Sequence, residues 1–182
     1  MLKTLAFAFA LFLSFGTAKA VTLDFSLHTG GGNGSVIDTT GGAFDVFFLL
    51  AGSDSNTRSS VITQYTTTSG AEDLIVRGNY HYFSDDIYGA AFDPFGYVNN
   101  GVFTQISQSA PRFQSGNFFF IVEAGNTFGW YIDAVDDRLG AGAVIVGAII
   151  QPVPLPAAAW LLLGAVGLMG AVRRRAGGRA IA

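Results

Sequence analysis

Between residues 21 and 150, apolar side chains recur at every second position or in short unbroken runs. They never take the three-and-four spacing of an amphipathic helix over a useful length. Val21, Leu23, Phe25 and Leu27 alternate with Thr22, Asp24, Ser26 and His28, which is the period of a half-buried strand. Residues 43–51 hold Phe44, Val46, Phe47, Phe48, Leu49 and Leu50, enough for one buried strand whose Phe and Val content favours β. Residues 61–68 are rich in β-branched side chains. Residues 73–83 alternate through Leu74, Val76, Tyr80 and Tyr82, with Gly78 expected to mark a bulge or kink. Apolar residues flank Asn99-Asn100-Gly101, a strong hairpin signal. Residues 117–123 and 128–135 pair around a tight turn, with Trp130 and Ile132 on one alternate set, and 141–150 closes the series. Gly-, Asn- and Asp-rich turns separate these runs, at 29–35, 38–42, 52–60, 84–94 and 136–140 among others. The expected fold is all-β: an antiparallel β-sandwich or jelly-roll-like domain of about eight strands.

Such a domain has to be held together by its core. The chain contains no cysteine, which excludes a disulfide framework, a thiolate metal site and a cysteine nucleophile. Half of its residues are hydrophobic and 17 are Phe, so core material is ample. Charge is unevenly placed. Residues 21–150 carry four arginines (Arg58, Arg77, Arg112, Arg138) against all 13 acidic residues, a net −9 that the whole-chain value of −3 hides. A surface this acidic excludes nucleic acid as a partner, because the phosphate backbone demands Lys and Arg.

Both ends differ from the middle. Lys3, an apolar run over 5–15 and Ala18-Lys19-Ala20 give the charged, apolar and small-x-small regions of a signal peptide cut after Ala20. An uncleaved anchor is the alternative, disfavoured by the short apolar run. Signal peptide 1–20 implies export through the Sec translocon and processing by signal peptidase. At the other end, Gln151-Pro152-Val153-Pro154-Leu155-Pro156-Ala157 leads into an uncharged segment, 155–172, followed by Arg173-Arg174-Arg175. That length sits at the lower edge of a membrane-spanning helix, about 20 residues. Trp160 suits the headgroup level, and the arginines favour the cytoplasmic side. The alternative is a buried terminal helix of a soluble domain, but the run is apolar on all sides.

The order of parts in 151–182 resembles a known sorting tag. Val153, Pro154, Leu155, Pro156 and Ala157, then the apolar helix, then Arg173, Arg174 and Arg175, are similar to the VPLPA variant of the PEP-CTERM signal. Leu155 stands where many members carry Glu. The resemblance implies an exported Gram-negative protein, a substrate of exosortase, a membrane-embedded transpeptidase-like cysteine protease. It also implies cleavage near Pro154–Ala157 and an association with exopolysaccharide. The domain would lie on the periplasmic side of the cytoplasmic membrane until processed, then pass to the cell surface or extracellular matrix. Residues 91–101, 122–130 and 135–137 also resemble a module found in tagged exported proteins, which implies a β-sandwich and no particular activity.

Candidate sites within 21–150 are few. The glycine-rich stretch 30–35 lacks the Lys and the helix of a phosphate loop and reads as a turn. His28 and His81, the only histidines, sit in separate alternating runs with no nucleophile or carboxylate placed between them. Asp85, Asp86 and Asp93 share one loop and form a candidate calcium site; Asp133, Asp136 and Asp137 share another. Neither group has EF-hand spacing, and solvated acidic turns are the commoner case. Of the aromatic residues crowded over 80–97, the loop members Tyr88, Phe92 and Phe95 are the candidates for stacking on a sugar. The function expected is that of a non-enzymatic exported surface or matrix protein linked to exopolysaccharide. The alternative is a carbohydrate-binding module, with or without calcium. A secreted hydrolase is least favoured, because no nucleophile–base pair or placed carboxylate pair stands out.

Overall fold

A computed structural model of the chain describes residues 22–39 and 44–153, together with Gly164 and Gly167. Ten strands lie in the first of two compact units, Met1–Pro152; the second is Val153–Ala182, in which the described Gly164 and Gly167 are helical. The signal-peptide residues, Pro154, Leu155, Pro156, Ala157 and the three arginines all lie outside the described residues. No helix among the described residues is long and apolar enough to cross a membrane.

The strands are β1 (Ser26–His28), β2 (Ser35–Asp38), β3 (Val46–Ala51), β4 (Val61–Thr68), β5 (Leu74–Ser84), β6 (Phe95–Asn99), β7 (Val102–Gln105), β8 (Phe113–Val122), β9 (Thr127–Ala134) and β10 (Gly142–Pro152). They form two five-stranded sheets. The first has the order β1-β4-β9-β6-β7 and the second β2-β3-β10-β5-β8. Every pairing in both sheets is antiparallel. The all-β sandwich expected from the alternation is therefore what forms, with ten strands rather than about eight.

The added elements have local causes. Residues 35–38 look like loop because glycine-rich turns hem them in. As β2 they pair with β3, setting Val36 opposite Leu50 and Ile37 opposite Leu49. β8 starts at Phe113, inside a stretch whose Ser, Gln and Pro read as loop, because residues 113–116 continue the ladder with β5. β10 runs on through Pro152, beyond the expected end at 150, with Pro152 opposite Leu74. A proline is tolerated at a strand terminus, where its missing N–H costs no ladder bond.

The core follows from strand parity. Phe48 and Leu50 of β3, Val76, Tyr80 and Tyr82 of β5, Phe118, Phe120 and Val122 of β8, and Val144 and Val146 of β10 face inward from the second sheet. Tyr65 of β4, Phe95 of β6, and Phe128, Trp130 and Ile132 of β9 meet them from the first. Trp130 is fully buried, with ring centroids of Phe48, Phe118 and Phe25 within 5.2, 5.7 and 5.9 Å. Phe25, ahead of β1, caps the open edge by stacking on Tyr65 at 5.1 Å.

Two glycines show what the turns and close approaches require. Asn100 and Gly101 take φ values of 50° and 77° between β6 and β7, the positive pair of a tight hairpin turn. Gly78 makes no bulge, contrary to expectation. Its ladders to Ala148 and Phe118 are continuous, and a Cβ there would come within 2.0 Å of the Gly147 carbonyl and 2.8 Å of the Phe118 ring. Glycine is present because of packing, not because the strand breaks.

Candidate functional site at one loop end of the sandwich

Strands β3, β5 and β9 end, and β4, β6 and β10 begin, at the same end of the sandwich. Their connections, 52–60, 85–94 and 135–141, carry six of the domain's 13 acidic residues. A carboxylate placed there must either reach water or find donors. Three of them are buried, and they resolve this in two ways.

Asp137 is fully buried. Its Oδ1 accepts the Ser55 N–H at 3.1 Å. Its Oδ2 accepts the Ser55 hydroxyl at 2.7 Å, the Thr57 N–H at 3.0 Å and the Thr57 hydroxyl at 2.6 Å. Its backbone carbonyl takes the Asn56 N–H at 2.7 Å. Burial works against the charge, but the hydroxyls and amides of 53–57 outweigh it and hold the carboxyl well below its ordinary range. The effect is to clamp the β3–β4 loop onto the β9–β10 loop.

Asp93 and Asp86 meet on Ser84. The Ser84 hydroxyl donates to Asp93 Oδ2 at 2.6 Å and accepts the Asp86 N–H at 3.3 Å. Burial pushes Asp93 up to about 6; the Ser84 bond opposes this, and the neighbouring Asp86 adds to it. Burial likewise raises Asp86, although Tyr88 N–H donates to its Oδ1 at 2.5 Å. Asp86 Oδ2 is buried with no partner among the described residues. The Asp93 carbonyl accepts the Tyr82 hydroxyl at 2.7 Å, which ties the loop into the core.

These anchors present an exposed surface. Tyr88 is 58% exposed, and its ring centroid lies 5.4 Å from that of Phe92, tilted by 46°. Phe92 closes a 3₁₀ turn, Ala90–Phe92, that starts from Gly89. Ile87 and Leu139 are exposed beside them, joined by the Ile87 N–H on the Leu139 carbonyl at 3.1 Å. The Val135 N–H reaches the Phe92 carbonyl at 2.8 Å. The loop tip is thus apolar and aromatic above, and ionic and hydroxyl-lined beneath.

The expected site residues sort accordingly. Tyr88 and Phe92 share this surface. Phe95 does not: it is fully buried on β6, against Tyr80 at 5.2 Å and Tyr82 at 6.1 Å. Its place in an alternating strand puts it on the core face. Asp86 and Asp93 come together, whereas Asp85 is exposed on the strand's other parity. No three Asp, Glu or His side chains among the described residues converge closely enough to hold a metal ion. In the second acidic group, Asp133 accepts the Ser60 hydroxyl at 2.6 Å and Asp136 pairs with Arg138 at 3.3 Å. His28 and His81 are exposed on different sheets and do not meet. The sequence had pointed to the acidic residues but not to their hydroxyl partners, Ser55, Thr57 and Ser84. Ser55 and Asp137 are 82 positions apart, and no local pattern links them.

At the opposite end lies a cavity of about 350 Å³ lined by Asp24, Phe25, Asp38, Asp45 and Tyr65, among others. There Tyr65 donates to Asp38 Oδ2 at 2.5 Å, and Asp45 Oδ2 accepts the Ile150 N–H at 2.7 Å.

No family model matches the chain, and no curated protein matches it in sequence. Solved structures with some likeness include a family 35 carbohydrate-binding module from an environmental isolate, at 15% identity and TM-score 0.38, covering 76% of this chain and 98% of that one. Another is TmCBM61 in complex with beta-1,4-galactotriose, at 9% identity and TM-score 0.38, covering 71% and 88%. A third is CBM35 from Cellvibrio japonicus Abf62, at 12% identity and TM-score 0.38, covering 76% and 97%. At such scores and identities nothing about this chain rests on them.

The buried acids give a pH signature of opposite signs. Asp137, depressed in the fold, adds stability that is lost as pH falls below its ordinary 3.8. Asp93, raised to about 6 from 3.8, adds stability that is full below 3.8 and is lost as pH climbs through 6. Urea unfolding should therefore show stability declining between pH 4 and 6.5, with an Asp93 share of at most about 3 kcal/mol. Asp93→Asn should flatten that decline; an unchanged slope in the variant would show that Asp93 is not its source.

Proposed function

We propose that this chain is an exported, non-catalytic binding protein whose loop end recognises a hydroxyl-rich ligand of the saccharide class. The observation that carries this is the exposed Tyr88 ring, backed by the half-buried Phe92, on a loop whose backbone is held from below by Asp86 and Asp93. Exposed aromatic rings on a rigid loop are costly to leave in water, and they supply binding area at little entropic cost. Their faces suit the C–H face of a sugar, while the exposed Asp85 offers acceptors to hydroxyls beside them. Binding by the loop end requires no nucleophile.

The ends of the chain support an exported setting for this module. The signal peptide and the Val153–Ala157 motif with its apolar segment and arginines support export, exosortase processing and delivery to the surface or matrix. A polysaccharide of that matrix is the ligand most consistent with both features.

Two measurements test this. On a glycan array or in polysaccharide pull-downs, the protein should bind at least one glycan, and Tyr88→Ala with Phe92→Ala should lose binding without loss of fold by circular dichroism. Absence of binding to every glycan, or undiminished binding by the double variant, would sink the saccharide reading. Mass spectrometry of the mature protein from its native host should find a C-terminus within or beside residues 153–157. A product that still ends at Ala182 would refute processing.

A further inference from the structure

We propose that the chain pairs with a second copy of itself through the open edge of β8, extending the second sheet across a two-fold axis at Asn117. β8 is the outermost strand of that sheet and pairs only with β5. At ten residues, it contains no charge and no proline. Natural edge strands are usually blunted by one of these devices, because an open edge is a template for another strand.

The direction of its backbone groups is fixed by its neighbours. The Ser84 N–H bonds the Arg112 carbonyl at 3.0 Å, so residues of even number at this edge face β5. Phe113, Ser115, Asn117, Phe119 and Ile121 therefore turn their N–H and C=O outward. The Asn99 side-chain amide, donating to the Ile121 carbonyl at 2.8 Å, reaches the strand from that outer side. Among the described residues, no other hydrogen bond occupies the outward backbone groups of these five. Their side chains also share one face, where Phe113 is 76%, Phe119 62% and Ile121 51% exposed.

The strand is self-complementary in one antiparallel register. Centred on Asn117, the five outward residues stand opposite one another: Phe113 with Ile121, whose carbonyl keeps a second lone pair beside its bond from Asn99, Ser115 with Phe119, and Asn117 with its own symmetry mate. The most exposed ring then lies against an exposed aliphatic side chain, an apolar pair of the kind that stabilises antiparallel ladders. The same register brings Arg112, just before β8, within one position of the other copy's Glu123, just after it. Both are exposed and opposite in charge. Shifting the register by two residues in either direction leaves one of the five outward residues without a partner among them, and only one of the two shifts keeps these charges as close.

Because the chain has no cysteine, single substitutions report the pairing directly. Residues directly opposite in a hydrogen-bonded antiparallel pair have Cα atoms about 5.5 Å apart, within disulfide reach. Full-length Asn117→Cys, purified in mild detergent and oxidised, should run mainly as a covalent dimer on non-reducing gels. Ser115→Cys alone should stay monomeric, since its symmetry mate would lie about 13 Å along the strand. Ser115→Cys mixed with Phe119→Cys should give a covalent heterodimer, which keeps the test open should the Asn117 variant or its disulfide geometry fail. Equal cross-linking of Asn117→Cys and Ser115→Cys, or no heterodimer in the mixture, would overturn the proposal.

Discussion

The two sheets depend on Trp130. It lies at the middle of β9, fully buried, and its indole meets Phe48 of β3 and Phe118 of β8 across the sandwich while Phe25 covers it from the open edge. With no disulfide available, inter-sheet cohesion rests on apolar burial, and aromatic rings supply the largest area per residue. Tyr97 stacking on Phe120 at 4.3 Å, and Phe95 between Tyr80 and Tyr82, continue the same layer toward β6. The indole N–H has no polar partner among the described residues. Its ring contacts, not a hydrogen bond, keep it in place.

A core of this kind holds the strands but does little for the loops, which have no apolar mass of their own to bury. At one end that task falls to carboxylates. Asp137 is buried with four donors and stays charged, so it works as a clamp. Asp93 and Asp86 are buried with fewer donors and are pushed toward the neutral form. The same residue type thus plays two parts, set by how many hydroxyl and amide groups surround it. The outcome is a loop tip that exposes Tyr88 against a half-buried Phe92 while the backbone beneath them is tied to β5 and β9.

Strand placement was legible because its signal is local. The alternation around Leu74, Val76, Tyr80 and Tyr82, and the Asn100-Gly101 turn, each state their conformation within a few residues. β2 was not legible, since Val36 and Ile37 are too short a run to separate from turn. Gly78 suggests a bulge in the sequence because a glycine required by a neighbouring ring and carbonyl looks the same there as one required by a bulge. Phe95 looks like loop in the sequence although it begins β6, and one position of offset carries a side chain from solvent to core. The acidic residues of the site could be found by composition. The serine and threonine partners of Asp137 could not, because those contacts join loops some eighty positions apart.

The central claim is that the loop end is pre-organised by buried carboxylates, so that Tyr88 and Phe92 are displayed on a fixed backbone. Amide hydrogen exchange tests it most directly. The Ser55 and Thr57 N–H groups, bonded to Asp137, and the Tyr88 N–H, bonded to Asp86, should exchange with protection comparable to that of strand amides in β5 and β9. Exchange of these three at the rate of a free surface loop, with β5 and β9 still protected, would contradict the account.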